Sequence, residues 1–273
     1  MNFVERQNRA VLEFLDIPKS AFRGSLVASL SQQRVVRPVP GILGRNGLVD
    51  RYFYFFMSLV VAGVVVAGFS RTIDHRLIHA VPVRPWVLYL HGVVFFGWVI
   101  FFIAQSALVG VRKVAVHRTL GWFGVAIGVS IPVVGMWTAI TMDRFEILRL
   151  HLRAASPFLG AQMESMAAFT IFFAIAIIWR KRPEFHRRSI LIASCILTGA
   201  AFSRLVGLGR ETYPVDLLLL LGVVHDLLIT RRVHKVYLFG LPPLIATQHN
   251  AMQLFLKAPS AWVRITDAIL RVS

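Results

Sequence analysis

An all-α, seven-span membrane bundle is the fold this sequence predicts, and three observations carry the prediction. Hydrophobic residues fill 56% of 273 positions, and the mean hydropathy of +0.67 exceeds what a water-soluble core can hide. Seven apolar runs divide the chain, most of them roughly 20 residues long, the length that crosses ~30 Å of hydrocarbon. Basic residues crowd alternate connections between those runs.

The elements follow in order. Residues 1–50 read as a basic, cytoplasmic N-terminal extension in which Val4, Val11, Leu12 and Leu15 mark one face of a short surface helix. The first 15 residues carry Glu5, Arg6, Arg9 and Glu13 and no apolar core. Insertion through the first span, rather than a cleavable signal peptide, is therefore expected. Pro38, Pro40, Gly41, Gly44 and Gly47 read as a linker. The transmembrane domain then occupies 51–256, with spans at 52–69, 86–109, 120–141, 157–179, 189–209, 215–229 and 236–256. The last contains Pro242-Pro243, which removes backbone donors and predicts a kink or break. In 257–273, Trp262, Ile265, Ile269 and Val272 fall on one helical face opposite Arg264, Asp267 and Arg271. This predicts an amphipathic helix in the outer interface with Trp262 at headgroup depth.

Charge sets the orientation. Of 30 Lys and Arg residues, 19 lie on the side of the N-terminus and 11 on the other. The positive-inside rule makes the chain N-in and C-out in a bacterial inner membrane. The net charge of +17 sits in short loops beside spans, which argues against nucleic acid as a partner. The lone cysteine, Cys195, forbids an intrachain disulfide. No glycine-rich phosphate loop, paired CxxC or G-x-S-x-G occurs, so nucleotide, structural-zinc and hydrolase chemistries lack their usual motifs.

Three basic loops share a pattern: R-K-V-A-V-H-R at 112–118, R-K-R-P-E-F-H-R at 180–187 and R-R-V-H-K at 231–235. Each places a histidine, followed by Arg or Lys, at the start of a span. His117, His186 and His234 thus lie at one depth. His225 ends the sixth span near that layer, and His91 and His249 form a second layer toward the other face. Paired imidazoles on facing helices at two depths are what a two-haem b-type cytochrome requires. The outer pair is His91 with His249. The inner pair is His117 with His186, or with His225 replacing one. Gly92, Gly97, Gly121, Gly124 and Gly128 offer small surfaces to a porphyrin or to a neighbouring helix.

Other constellations compete. Glu164 and Arg204 both approach the outer rim and are expected to form an interhelical clamp, whose surroundings suit a polar headgroup or a quinone. Asp74, His75 and His79 provide a candidate zinc set, with the histidines at i, i+4 if this outer loop is helical. The Pro242-Pro243 break followed by Thr247, Gln248, His249 and Asn250 suits a transporter cavity.

The motifs L-H-G at 90–92, A-Q at 104–105, H-R-T-L-G-W at 117–122, R-P-E-F-H-R-R at 182–188, S-R-L at 203–205 and H-D-L-L-I-T-R-R at 225–232 resemble a broad family of uncharacterised bacterial polytopic integral membrane proteins. The resemblance covers about residues 50–265 and implies a helical inner-membrane bundle without assigning an activity. The chain departs from the pattern in its long extension and in T-Q-H-N at 247–250, where relatives carry a proline near His249. The arrangement is also faintly similar to the transmembrane di-haem cytochromes b. The leading expectation is a b-type haem electron-transfer protein. A non-enzymatic small-solute transporter, or a structural subunit of a larger membrane complex, is the alternative. A zinc-dependent membrane hydrolase is the third reading.

Overall fold

The computed structural model describes residues 43–152 and 155–272. The expected extension over 1–50 lies almost wholly outside them. The chain divides at Gly44, and the architecture below is that of the second unit, Arg45–Ser273.

Every regular element among the described residues is a helix. In chain order they are α1 (Leu43–Ser70), a π-helical turn (Asp74–Ile78), α2 (Trp86–Gly110), α3 (Val114–Leu150), α4 (Ala155–Ile178), α5 (Pro183–Ile196), α6 (Gly199–Val206), α7 (Thr212–Thr230), α8 (Lys235–Lys257) and α9 (Ser260–Leu270). Five of these, α1 to α4 and α7, contain stretches long and apolar enough to cross a membrane, and the bent pair α5–α6 makes six. α8 carries the expected seventh span but is not among them, since Gln248, His249, Asn250 and Gln253 dilute its second half.

Lipid is the natural solvent for this surface. The most apolar stretch of α1 buries only 22% of its residues inside the bundle, and Phe56, Val93, Trp122, Val133, Leu228 and Phe239 point outward. Hydrophobic side chains in that number facing water would drive aggregation. The interior is aromatic: Trp98 meets Phe169 and Phe173 edge-on and donates its indole N–H to Ser194 Oγ at 3.2 Å. Gly124 and Gly128 of α3 leave room for the Phe101 and Phe173 rings, which any Cβ there would strike. Two of the five glycines considered for a porphyrin therefore serve aromatic packing.

Three elements differ from expectation. The fifth span is two helices meeting at 42°. At the break, the Thr198 hydroxyl donates to the Cys195 carbonyl at 2.6 Å ahead of Gly199, a pairing that bends helices. Conversely, α8 runs unbroken through Pro242 and Pro243, because packing on neighbouring helices tolerates the missing donors. The C-terminal helix, α9, turns Trp262 inward onto Gly160, where its indole donates to the Pro157 carbonyl at 3.1 Å. Ser156 bonds Thr266 and Asp267 at 2.8 and 2.6 Å. These contacts rotate the apolar face relative to the expected one, leaving Ile265 and Ile269 exposed while Leu270 and Val272 are buried.

Cross-helix bonds sort the helix ends into two layers. The third turn of α1 and the starts of α5 and α8 meet the ends of α2, α4 and α7 at one layer, through Arg51 to the Gly110 carbonyl, His186 to the Ala176 carbonyl and the His234 amide to Asp226. The start of α3 joins it where His117 meets His186. This is the basic end.

Candidate functional site

The first turn of α5 is the hub of the basic end. Pro183 opens the helix at a position where its missing N–H costs nothing, and four polar residues follow within five positions. Successive helical side chains point about 100° apart, so each polar residue meets a different neighbour. His186 Nδ1 donates to the Ala176 carbonyl of α4 at 2.9 Å. Arg187 spans both Asp50 oxygens of α1, at 3.0 and 3.1 Å. Arg188 turns to α7, where its Nε and Nη2 bond Asp226, Nη2 at 2.5 Å. Glu184 supports both arginines, accepting at 2.7 and 2.5 Å.

The Arg188–Asp226 pair lies wholly within protein, with side-chain exposures of 2% and 0%. Such a pair survives burial only if its remaining lone pairs and protons find partners. Here they do: the Glu184 carbonyl takes Arg188 Nη1, and the His234 backbone N–H takes Asp226 Oδ2. His234 caps α8, accepting from the Val236 N–H at 3.2 Å. Burial lowers its pKa, and the Arg188 charge lowers it further.

Beside this saturated pair lies an imidazole whose nitrogens have no partner. His225 stacks on Phe53 with ring centroids 3.8 Å apart. Its Nε2 lies 3.4 Å from Asp50 and its Nδ1 3.9 Å from Asp226, yet neither nitrogen makes a hydrogen bond. The buried Tyr54 and Tyr237 hydroxyls, Arg187 Nε and Ser189 Oγ are equally unpartnered. Gly222 leaves room for the Tyr237 hydroxyl, which a Cβ there would strike. Buried polar atoms are almost always bonded. Tyr54 meets the His225 ring edge-on, with centroids 6.0 Å apart, so unpartnered groups of two residues adjoin here, where water or a small polar ligand would satisfy them.

The two histidine layers fare differently. His117 and His186 do come together, their rings 6.2 Å apart and nearly perpendicular. His225 stands apart from them, stacked on Phe53. The outer pair is not assembled: His91 stacks on Phe95 at 3.9 Å, while His249 bonds Asp216 at 2.8 Å and meets Tyr213.

The expected Glu164–Arg204 clamp does not form. Glu164 accepts from the Thr247 hydroxyl at 2.8 Å. The α5–α6 bend carries Arg204 instead to the Thr72 hydroxyl and the face of Phe69. In the outer loop, His79 reaches back to Asp74 at 2.6 Å across a π-helical turn, whose longer period leaves His75 out. No group of three or more metal-ligating side chains gathers among the described residues, so the candidate zinc set is not assembled.

Sequence reasoning missed Asp50, Tyr54, Glu184, Arg187, Arg188, Ser189 and Tyr237 as site residues. The signal was Pro183 followed by Glu184, a helix-start pattern that moves Arg187 and Arg188 from a loop into the bundle.

Fold and site define a polytopic helical bundle of membrane type with a charged hub at one end. Comparisons with protein families, curated proteins and solved structures find no match.

Proposed function

We propose that this chain is a non-enzymatic, seven-span carrier of a small polar solute, lying N-in and C-out in a bacterial inner membrane. The buried His225 imidazole, with both nitrogens unpartnered beside Tyr54, is the observation that carries the reading. Intramembrane polar groups are costly, and those facing an interior cavity mark substrate or ion paths. The seven-span count draws support from α8, whose start meets the basic layer through the His234 N–H on Asp226 and whose second half reaches Asp216, near the opposite end of α7, through Gln248 and His249. The Arg187–Asp50 and Arg188–Asp226 pairs are natural gates, since each joins helices that must part for a solute to pass.

A thermal-stability screen of purified protein against small carboxylates, amines, amino acids and sugars tests this reading. A solute held at 100 times its Kd stabilises by about 2.7 kcal/mol, several degrees in a chain of this size. The expected hit loses its effect in His225→Ala and exchanges across vesicles containing the wild-type protein. A stabilisation that survives His225→Ala, or a screen without hits, sinks the proposal.

One observation favours a second reading. The His117–His186 rings are spaced as two ligands of one metal would be, and His117 Nδ1 is buried and unpartnered. A single b-type haem at the basic end would give a reduced-minus-oxidised α-band that disappears in His117→Ala. A colourless protein expressed with ample haem excludes it.

A further inference from the structure

A groove runs along the seam of α4 and α8 on the outside of the bundle, with a cavity volume of about 510 Å³. Its walls are almost wholly apolar: Ala167, Ile171 and Ile175 from α4, and Phe239, Gly240 and Pro243 from α8. Small residues on both helices hold it open, and Pro243 adds no backbone donor along it. One end stops at Glu164 and Thr247, which bond to each other at 2.8 Å. At the other end, Trp179, Phe185 and Lys235 line the mouth at the basic layer. From Lys235 to Thr247 the helix advances about 18 Å, slightly more than one leaflet's share of a ~30 Å hydrocarbon core.

Charge identifies the occupant. Lys181, Arg182, Arg231, Arg232 and Lys235 cluster in the two loops flanking the mouth, and all five are exposed. Among the described residues none of them has a carboxylate partner, because Glu184 and Asp226 are committed to Arg187 and Arg188. An amphiphile with one long apolar chain and an anionic head satisfies both halves of the site. We infer that the α4–α8 groove is a binding site for an anionic phospholipid of the leaflet on the basic side. One acyl chain lies along Ile171 and Phe239, and the phosphate rests on Lys235 and its basic neighbours. A zwitterionic lipid fits the groove equally well but brings its own cation to the mouth, so the head supplies the selectivity.

Native mass spectrometry of the delipidated full chain, titrated with phosphatidylglycerol and phosphatidylcholine of identical acyl chains, tests the site. Basic side chains near an anionic surface each contribute enough that phosphatidylglycerol is expected to bind roughly tenfold more tightly. The triple variant R231Q/R232Q/K235Q brings the two lipids to parity while both still bind. Ala167→Trp, at an exposed groove-lining position, displaces both. Parity in the wild-type protein overturns the proposal, as does an undiminished preference in the triple variant. Glycerol phosphate binding as tightly as the whole lipid also overturns it, because the anion would then need no groove. Full lipid retention in Ala167→Trp would have the same force.

Discussion

The two ends of the bundle solve the same problem in different ways. Both place carboxylates among packed helices, but the basic end neutralises them with arginine and the opposite end with neutral or weakly basic partners. Asp226 and Asp50 each face a guanidinium. Asp216 is held by Gln248 and His249 and Asp143 by Gln162, while Glu164, deeper between the two ends, is held by Thr247. An arginine pair is strong only while both members are present. Hydrogen bonds from neutral groups are individually weaker, but they leave no naked cation when one is lost. The basic end should therefore be brittle, and the opposite end tolerant.

Breaking the hub gives the largest effect. Asp226→Ala removes the buried carboxylate facing Arg188, which is 2% exposed, and leaves it only the half-exposed Glu184. The loss should approach that of a broken buried pair, about 3–5 kcal/mol. Chemical denaturation in detergent should show that loss. The double variant R188M/D226L should recover most of it, since apolar replacement of a buried pair is often neutral or better. A double variant as unstable as Asp226→Ala would mean that the pair contributes more than charge compensation. Next comes Asp216→Asn, which keeps the shape and removes the charge facing Gln248 and His249. The expected loss is about 1–2 kcal/mol, and a loss matching that of Asp226→Ala would erase the contrast between the ends. Thr247→Ala should cost about 1 kcal/mol or less, its hydroxyl being shared between Glu164 and a backbone carbonyl.

The smallest effect is a pH dependence at His234. Its pKa is lowered in the fold, chiefly by burial and then by Arg188, so the folded state favours the neutral ring. The unfolded chain takes up the proton first, near pH 6.5. Stability from this residue is full above that pH and declines as pH falls below it. The slope between pH 7 and 5 should flatten in His234→Asn, which retains a capping side chain.

The helical class and most of the helix positions were legible in the sequence, because apolar run length reports directly on what lipid demands. So was the shared depth of His117 and His186, which follows from counting residues from each loop. The hub was not. Arg188 and Asp226 are 38 residues apart, and the positive-inside rule explains Arg187 and Arg188 without any partner. Starting the fifth span at 189 rather than at Pro183 kept both arginines outside the bundle. The Glu164–Arg204 clamp failed for a different reason: depth alone was used, and depth says nothing about azimuth. A 42° bend was enough to send Arg204 to the Thr72 side. The continuous α8 carries the same lesson, since proline chemistry is local while its consequence depends on the neighbours.

The length of α3 has a consequence for the end of the second unit away from the basic layer. Its 37 residues extend about 55 Å, whereas a bilayer with its headgroups measures about 40–45 Å. Starting at the basic layer, the helix is longer than a single membrane crossing requires. Its final turns carry Ile147, which packs in one cluster with Leu159, Leu270 and Val272. Within the second unit, the top of α3, strapped by α9, therefore forms a raised shoulder at the end away from the basic layer. An antibody or a partner approaching from that side would meet the shoulder before it met any lipid.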